Sequence, residues 1–85
     1  MDLILRLLEY AEDNETYEPI AAPRFDDCDT REIHYHLRLC QEAGYLRVKK
    51  HPWTGAPHAN PKYTRYNIVE LTWAGHEALE AMRAA

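Results

Sequence analysis

Five histidines and two cysteines are the side chains of this sequence best suited to hold a metal ion or move a proton. Cys28, His34, His36 and Cys40 fall within one short stretch, and zinc takes such a mixture of thiolate and imidazole. On a helix, however, His34 and His36 point about 200° apart, so they cannot grip one ion together. His36 and Cys40 have the four-residue spacing that chelation needs, but Cys40 occupies a core position on an apolar stripe. No metal site is therefore expected. Catalysis has as little to draw on: His76-Glu77 lacks the second histidine of a zinc-protease helix, there is no glycine-rich phosphate loop, and Tyr63 to Tyr66 has no partner acid or base. The expectation is a protein that is not an enzyme and takes no cofactor.

The basic side chains are more informative, because they are not evenly spread. Residues 1–23 carry one basic and six acidic side chains, net −5; residues 24–65 carry eight and five, net +3; residues 66–85 carry one and three, net −2. Within the basic middle, Tyr45 to Arg65 holds Arg47, Lys49, Lys50, Lys62 and Arg65 and no carboxylate, a local charge of +5. Such a run can track phosphate oxygens or an acidic protein surface, or simply keep a loop solvated. His51, Trp53, His58, Tyr63 and Tyr66 are interleaved with these cations. Aromatic rings among lysines let a loop stack on bases or fill a partner's pocket, so Trp53, His58 and Tyr63 are candidate partner contacts. The alternative for Trp53 is that it folds back over a sheet to enlarge a small core.

The elements that must carry these groups follow from periodicity. Asp2 to Asp13 sets Leu3, Leu7, Tyr10 and Ala11 on one helical face with Ile4 and Leu8 beside them, and Asn14 ends the helix. Thr16 to Pro23 holds two prolines and reads as an extended segment with a short edge strand through Ile20. Phe25 to Cys28 is a turn or a stunted helix with Phe25 as anchor. Asp29 or Thr30 then caps a helix, with Glu32 completing a capping box. Its buried stripe is Ile33, Leu37, Cys40 and Gly44, widened by Leu39 and Ala43, and Gly44 is its left-handed stop. Tyr45–Lys50 and Arg65–Leu71 alternate as an antiparallel strand pair, and Thr72 caps a last helix with Trp73, His76, Ala78, Leu79 and Met82 available for packing. The connection His51–Thr64 contains Pro52, Gly55, Pro57 and Pro61, which exclude regular structure from most of it.

Helix, extended segment, helix, glycine turn, strand pair and closing helix is the order of a winged helix-turn-helix domain. The stretch from Ile33 through His34-Tyr35-His36-Leu37 to Glu42-Ala43-Gly44-Tyr45-Leu46 resembles the recognition helix and turn of many bacterial winged-helix regulators, and Leu71-Thr72-Trp73-Ala74-Gly75-His76-Glu77-Ala78-Leu79 resembles the close of the same domains. Together these blocks resemble a family of short phage and prophage proteins catalogued as a domain of unknown function. The resemblance implies an α+β winged-helix fold, a helical core with a two- to three-stranded antiparallel wing, and an origin on a mobile element. It brings no catalytic or binding residues with it. The proline- and histidine-rich stretch His51 to Pro61 departs from those relatives.

Eighty-five residues with 46% hydrophobic and 28% charged side chains fit one domain: recognition helix about 29–44, wing about 45–71, closing helix about 72–84. A chain of this size buries only about 60–65% of its unfolded surface, which leaves room for a homodimer interface to add stability. The cysteine count and the lack of a signal-like or membrane-spanning apolar run point to a cytoplasmic protein with two thiols and no membrane partner. The main functional expectation is a DNA-binding regulator of phage or prophage transcription. Arg31, His34, Tyr35 and Arg38 share the exposed side of the reading helix, while Arg47, Lys49, Lys50, Lys62 and Arg65 hold the backbone of double-stranded DNA. Asp26, Asp27 and Asp29 oppose phosphate at the helix start, and Glu32 and Glu42 offer the arginines intramolecular partners instead. The alternative expectation is an adaptor or inhibitor that binds a host protein, with the acidic Glu9, Glu12, Asp13, Glu15 and Glu18 as part of its surface.

Overall fold

Leu7, Leu8 and Ala11 recur at helical spacing, and in the computed structural model, which describes residues 3–16, 18–50 and 65–84, they are the buried face of helix α1, Leu3–Asp13. Asn14 closes the helix as expected: its backbone N–H and its Nδ2 both donate to the Tyr10 carbonyl, at 3.1 and 2.9 Å. Tyr10 in turn donates its hydroxyl to the Ala21 carbonyl at 3.0 Å. That bond ties α1 to strand β1, Ile20–Ala21, the short edge strand anticipated through Ile20.

Between β1 and the next helix the chain makes a turn rather than a stunted helix, closed by Cys28 N–H donating to the Phe25 carbonyl at 3.1 Å. Phe25 packs against the core, and the Arg6 guanidinium lies 4.0 Å from its ring centre. The same guanidinium donates to both carboxylate oxygens of Asp27, at 3.0 and 2.9 Å. One arginine of α1 therefore holds the turn by stacking and by charge.

Helix α2, Thr30–Glu42, begins at an extended Asp29 whose carboxylate accepts from Arg31 N–H at 2.9 Å. Ile33, Leu37 and Cys40 form its buried stripe, whereas Ala43 and Gly44, which the periodicity also assigned to it, lie exposed beyond the helix end. Gly44 N–H reaches the Gln41 carbonyl at 2.9 Å and Tyr45 N–H reaches that of Cys40 at 2.8 Å, the paired bonds of a Schellman stop. Gly44 has φ 80°, where any side chain is strained.

Strands β2, Leu46–Lys50, and β3, Tyr66–Leu71, pair antiparallel, and β1 pairs on the far side of β3, giving the order β1-β3-β2. Ile68 and Leu71 are both buried although three residues apart, a spacing that a regular strand would send to opposite faces. A bulge reconciles them. The register steps from Arg47↔Glu70 to Val48↔Ile68, leaving Val69 as the extra residue.

Helix α3, Trp73–Ala84, is capped by Thr72, whose hydroxyl accepts from Gly75 N–H at 3.0 Å. Trp73 is 79% exposed, which corrects its assignment to packing: at the first helical position it points away from the core that Leu79 fills. Leu7, Leu8, Ile33, Leu37, Leu46, Ile68 and Leu79 are essentially sealed, each stabilising the fold by about 1.5–3 kcal/mol through burial. Among the described residues the result is an α+β fold of three helices and a three-stranded antiparallel sheet, compatible with a winged helix. No helix among the described residues is long and apolar enough to cross a membrane.

Candidate functional site

The Schellman stop turns the chain straight from α2 into β2, so helix and strand run back on each other. Gln41, near the end of α2, accepts from Val48 N–H at 3.2 Å. Near its start, His34 Nδ1 accepts from Tyr66 N–H at 3.0 Å, and the two rings stand 6.4 Å apart. Tyr66 is the register partner of Lys50. The amino-terminal half of α2 is thereby fixed beside the end of the strand pair where Lys50 and Arg65 stand.

His34 does not share the outward face expected of it. It is half-buried against β3, and its Nδ1, being an acceptor, carries no proton in this arrangement. Arg31, Tyr35 and Arg38 are exposed. His34 lies about 100° around the helix from Ile33, on the margin of the buried stripe, and the sheet covers that margin. His36 instead donates its Nδ1–H to the Glu32 carbonyl at 2.7 Å.

The wing cations divide between the two faces of the sheet. Leu46 and Val48 face the core, so Arg47 and Lys49 project from the opposite side, and Lys50, next in the inward series but exposed at the strand end, stands on the side of α2. Arg47 is engaged by its cross-strand partner Glu70 at 2.6 Å. Lys49 and Lys50 line a shallow groove with Glu18, Pro19 and Asn67. Trp53, His58, Lys62 and Tyr63 lie outside the described residues, as does the His51–Thr64 connection.

Two of the three aspartates expected to repel phosphate are already engaged. Asp29 is the cap of α2. The hydrogen bonds from Arg6, and then the backbone N–H of Asp27 itself, hold the Asp27 carboxyl below its ordinary pKa of 3.8, against the opposing effect of desolvation. On the exposed face of α2, the Arg38 guanidinium stands 5.4 Å from the Tyr35 ring centre, and its Nε lies 3.8 Å from Glu42 Oε1. One of the intramolecular pairings open to these arginines therefore forms, at i,i+4 spacing on a solvated surface.

The acidic amino-terminal helix is also partly matched within the molecule. Arg83 of α3 approaches Glu9 at 3.9 Å and Glu12 at 3.0 Å, and His76 Nδ1 lies 3.9 Å from Glu12. The exposed Trp73 is the surface feature that periodicity missed. Its position directly after the Thr72 cap was the available signal, since the first residue of a helix often lies outside the packed turns.

No curated protein and no solved structure matches this chain. A family profile does, over residues 1–85, and the chain belongs to that family, DUF2513, described as a hypothetical protein.

Proposed function

We propose that this is a winged-helix protein that binds duplex DNA and regulates transcription of a phage or prophage segment, as a dimer on a two-fold site. The observation that carries the reading is the His34–Tyr66 tie, which sets Arg31, Tyr35 and Arg38 of α2 beside the strand end bearing Lys50 and Arg65. A helix presenting arginines next to a cationic strand pair suits a major groove flanked by phosphates. The strand order β1-β3-β2 supports the same fold, and the internal use of Asp27 and Asp29 lowers the repulsion at the helix start.

The test is duplex binding against salt. Affinity should fall steeply as salt rises, and replacing Arg31, Arg38 and Lys50 together by Ala should weaken binding and flatten the log–log slope by about 1, roughly 0.9 for the phosphate that Lys50 no longer neutralises. An absence of duplex affinity at low salt, or a triple variant that binds like the native chain, ends the proposal.

A second reading is favoured by Trp73, which is 79% exposed on α3 beside the exposed carboxylate residues Glu77 and Glu80. Large exposed aromatics anchor protein interfaces. In that reading the domain is an adaptor or inhibitor of a host protein. A stoichiometric partner recovered from host lysate by the native chain, and no longer recovered by Trp73→Ala, is then expected; recovery unaffected by that substitution rules it out.

A further inference from the structure

Arg38 is held from two directions: its guanidinium stands 5.4 Å from the Tyr35 ring centre, and its Nε edge is turned to Glu42 Oε1 at 3.8 Å. All three side chains are exposed, so these interactions add little to stability at a solvated surface. They do bias a long flexible side chain toward one set of directions. Tyr35 is itself steadied by the edge of His36, 5.5 Å away and nearly perpendicular, while His36 is anchored to the Glu32 carbonyl at 2.7 Å. A row of side chains thus runs along the helix from His36, anchored on the Glu32 backbone carbonyl, through Tyr35 to Arg38 and Glu42.

The chemistry of the edge left outward decides what Arg38 can recognise. With Nε turned to a carboxylate and one face turned to a ring, the guanidinium offers Nη1 and Nη2, two parallel donors. A planar pair of donors matches two adjacent acceptors, and on a duplex base edge that pair is O6 and N7 of guanine in the major groove. Binding a phosphate needs no such restriction, because charge alone suffices there. A helix reaches these atoms in B-form DNA, whereas the deep, narrow major groove of A-form RNA excludes it.

We infer that Arg38 is the specificity-determining residue of α2, reading one guanine in the major groove of duplex DNA, with Tyr35 and Glu42 as its positioning residues. This deepens the DNA-binding reading and rests on it. Arg38→Ala removes the paired donors, and Arg38→Lys keeps the charge but loses the planar fork. Tyr35→Ala and Glu42→Gln keep Arg38 and remove its supports, while Tyr35→Phe keeps the ring.

The experiment is selection of preferred duplexes from a random library with the native chain, followed by binding titrations of the selected duplex and of single-base-pair variants. The native chain should prefer G·C at one position by about tenfold, and 7-deazaguanine at that position should remove most of the preference. Arg38→Ala should bind the pooled library more weakly and show no preference, while Arg38→Lys, whose ammonium still reaches guanine O6 and N7, should keep part of that preference. Tyr35→Ala and Glu42→Gln should reduce it, Tyr35→Phe should preserve it, and duplex RNA of the same sequence should not compete. If Arg38→Ala retains the preference, or the native chain binds duplex DNA without any base preference, Arg38 is not the reader and the DNA-binding proposal still stands. If the native chain binds no duplex even at low salt, both fall together.

Discussion

At its carboxyl end α2 stops on Gly44 at φ 80°, and α3 starts against that turn: Thr72 donates its hydroxyl to the carbonyls of Gly44 and Tyr45, and its N–H to Tyr45 O at 3.0 Å. A hydroxyl has one proton, so the two carbonyls share it. At its amino end the same helix starts on an exposed Asp29, beside a turn held by the single side chain of Arg6, and presents Arg31, Tyr35 and Arg38 to solvent. The closed end is built from the Thr72 bonds to two carbonyls and from the close approach of Gly75 to the Tyr45 carbonyl, which leaves no space for a side chain at Gly75. The open end is built from side-chain tips, which can change identity without moving the chain. One helix can therefore hold the fold constant at one end while its outward surface varies at the other.

The sharpest break in this comparison is Gly75→Ala. A Cβ there would overlap the Tyr45 carbonyl oxygen and press on a Leu71 methyl, and backbone cannot yield as a side-chain tip does. A loss of about 3 kcal/mol is expected, read as a fall of roughly 10–20 °C in the thermal midpoint. Gly44→Ala separates conformation from crowding at the same end, because nothing lies within 4 Å of its Cβ position. Only the left-handed backbone then costs, about 1 kcal/mol, and a midpoint as low as that of Gly75→Ala would show crowding at Gly44 as well.

The smallest effect belongs to the open end. Asp27 has its carboxyl pKa lowered by Arg6, so its contribution is fully present above the ordinary value of 3.8 and is lost as pH falls through the lower folded value. The carboxylate is solvent-facing, and its benefit is correspondingly slight. Asp27→Asn should be measurably less stable than the native chain in urea at neutral pH and indistinguishable from it at the acid end. A difference that grows with acidification contradicts this account of the turn.

Local signals carried most of the fold into the sequence. Asp29 and Gly44 bracket α2 because capping and left-handed backbone are properties of single residues, and Asn14, Ile20 and Thr72 marked boundaries for similar reasons. The bulge at Val69 was not legible, since Ile68-Val69-Glu70-Leu71 also suits a regular strand until its partner is known. Burial at helix margins escaped for the same reason. His34 and Trp73 were assigned to opposite environments from the ones they occupy, because each lies where a neighbouring element, not helical period, decides exposure. Of the candidate surface, the exposed arginines and Tyr35 of α2 were visible from spacing. The division of the wing cations between two faces, and the pairing of Arg47 with Glu70, needed the register.

The bulge has a consequence for how this domain could be altered. Because Val69 breaks the two-residue rhythm of β3 at one place, β2 has one alignment that buries Leu46, Ile68 and Leu71 together and still sets Arg47 opposite Glu70. Part of the alignment is thereby written into the strands themselves, near the glycine turn. For an engineer this works like a keyed connector: Val69 is the key, and deleting it should take Ile68 and Leu71 off the face they share.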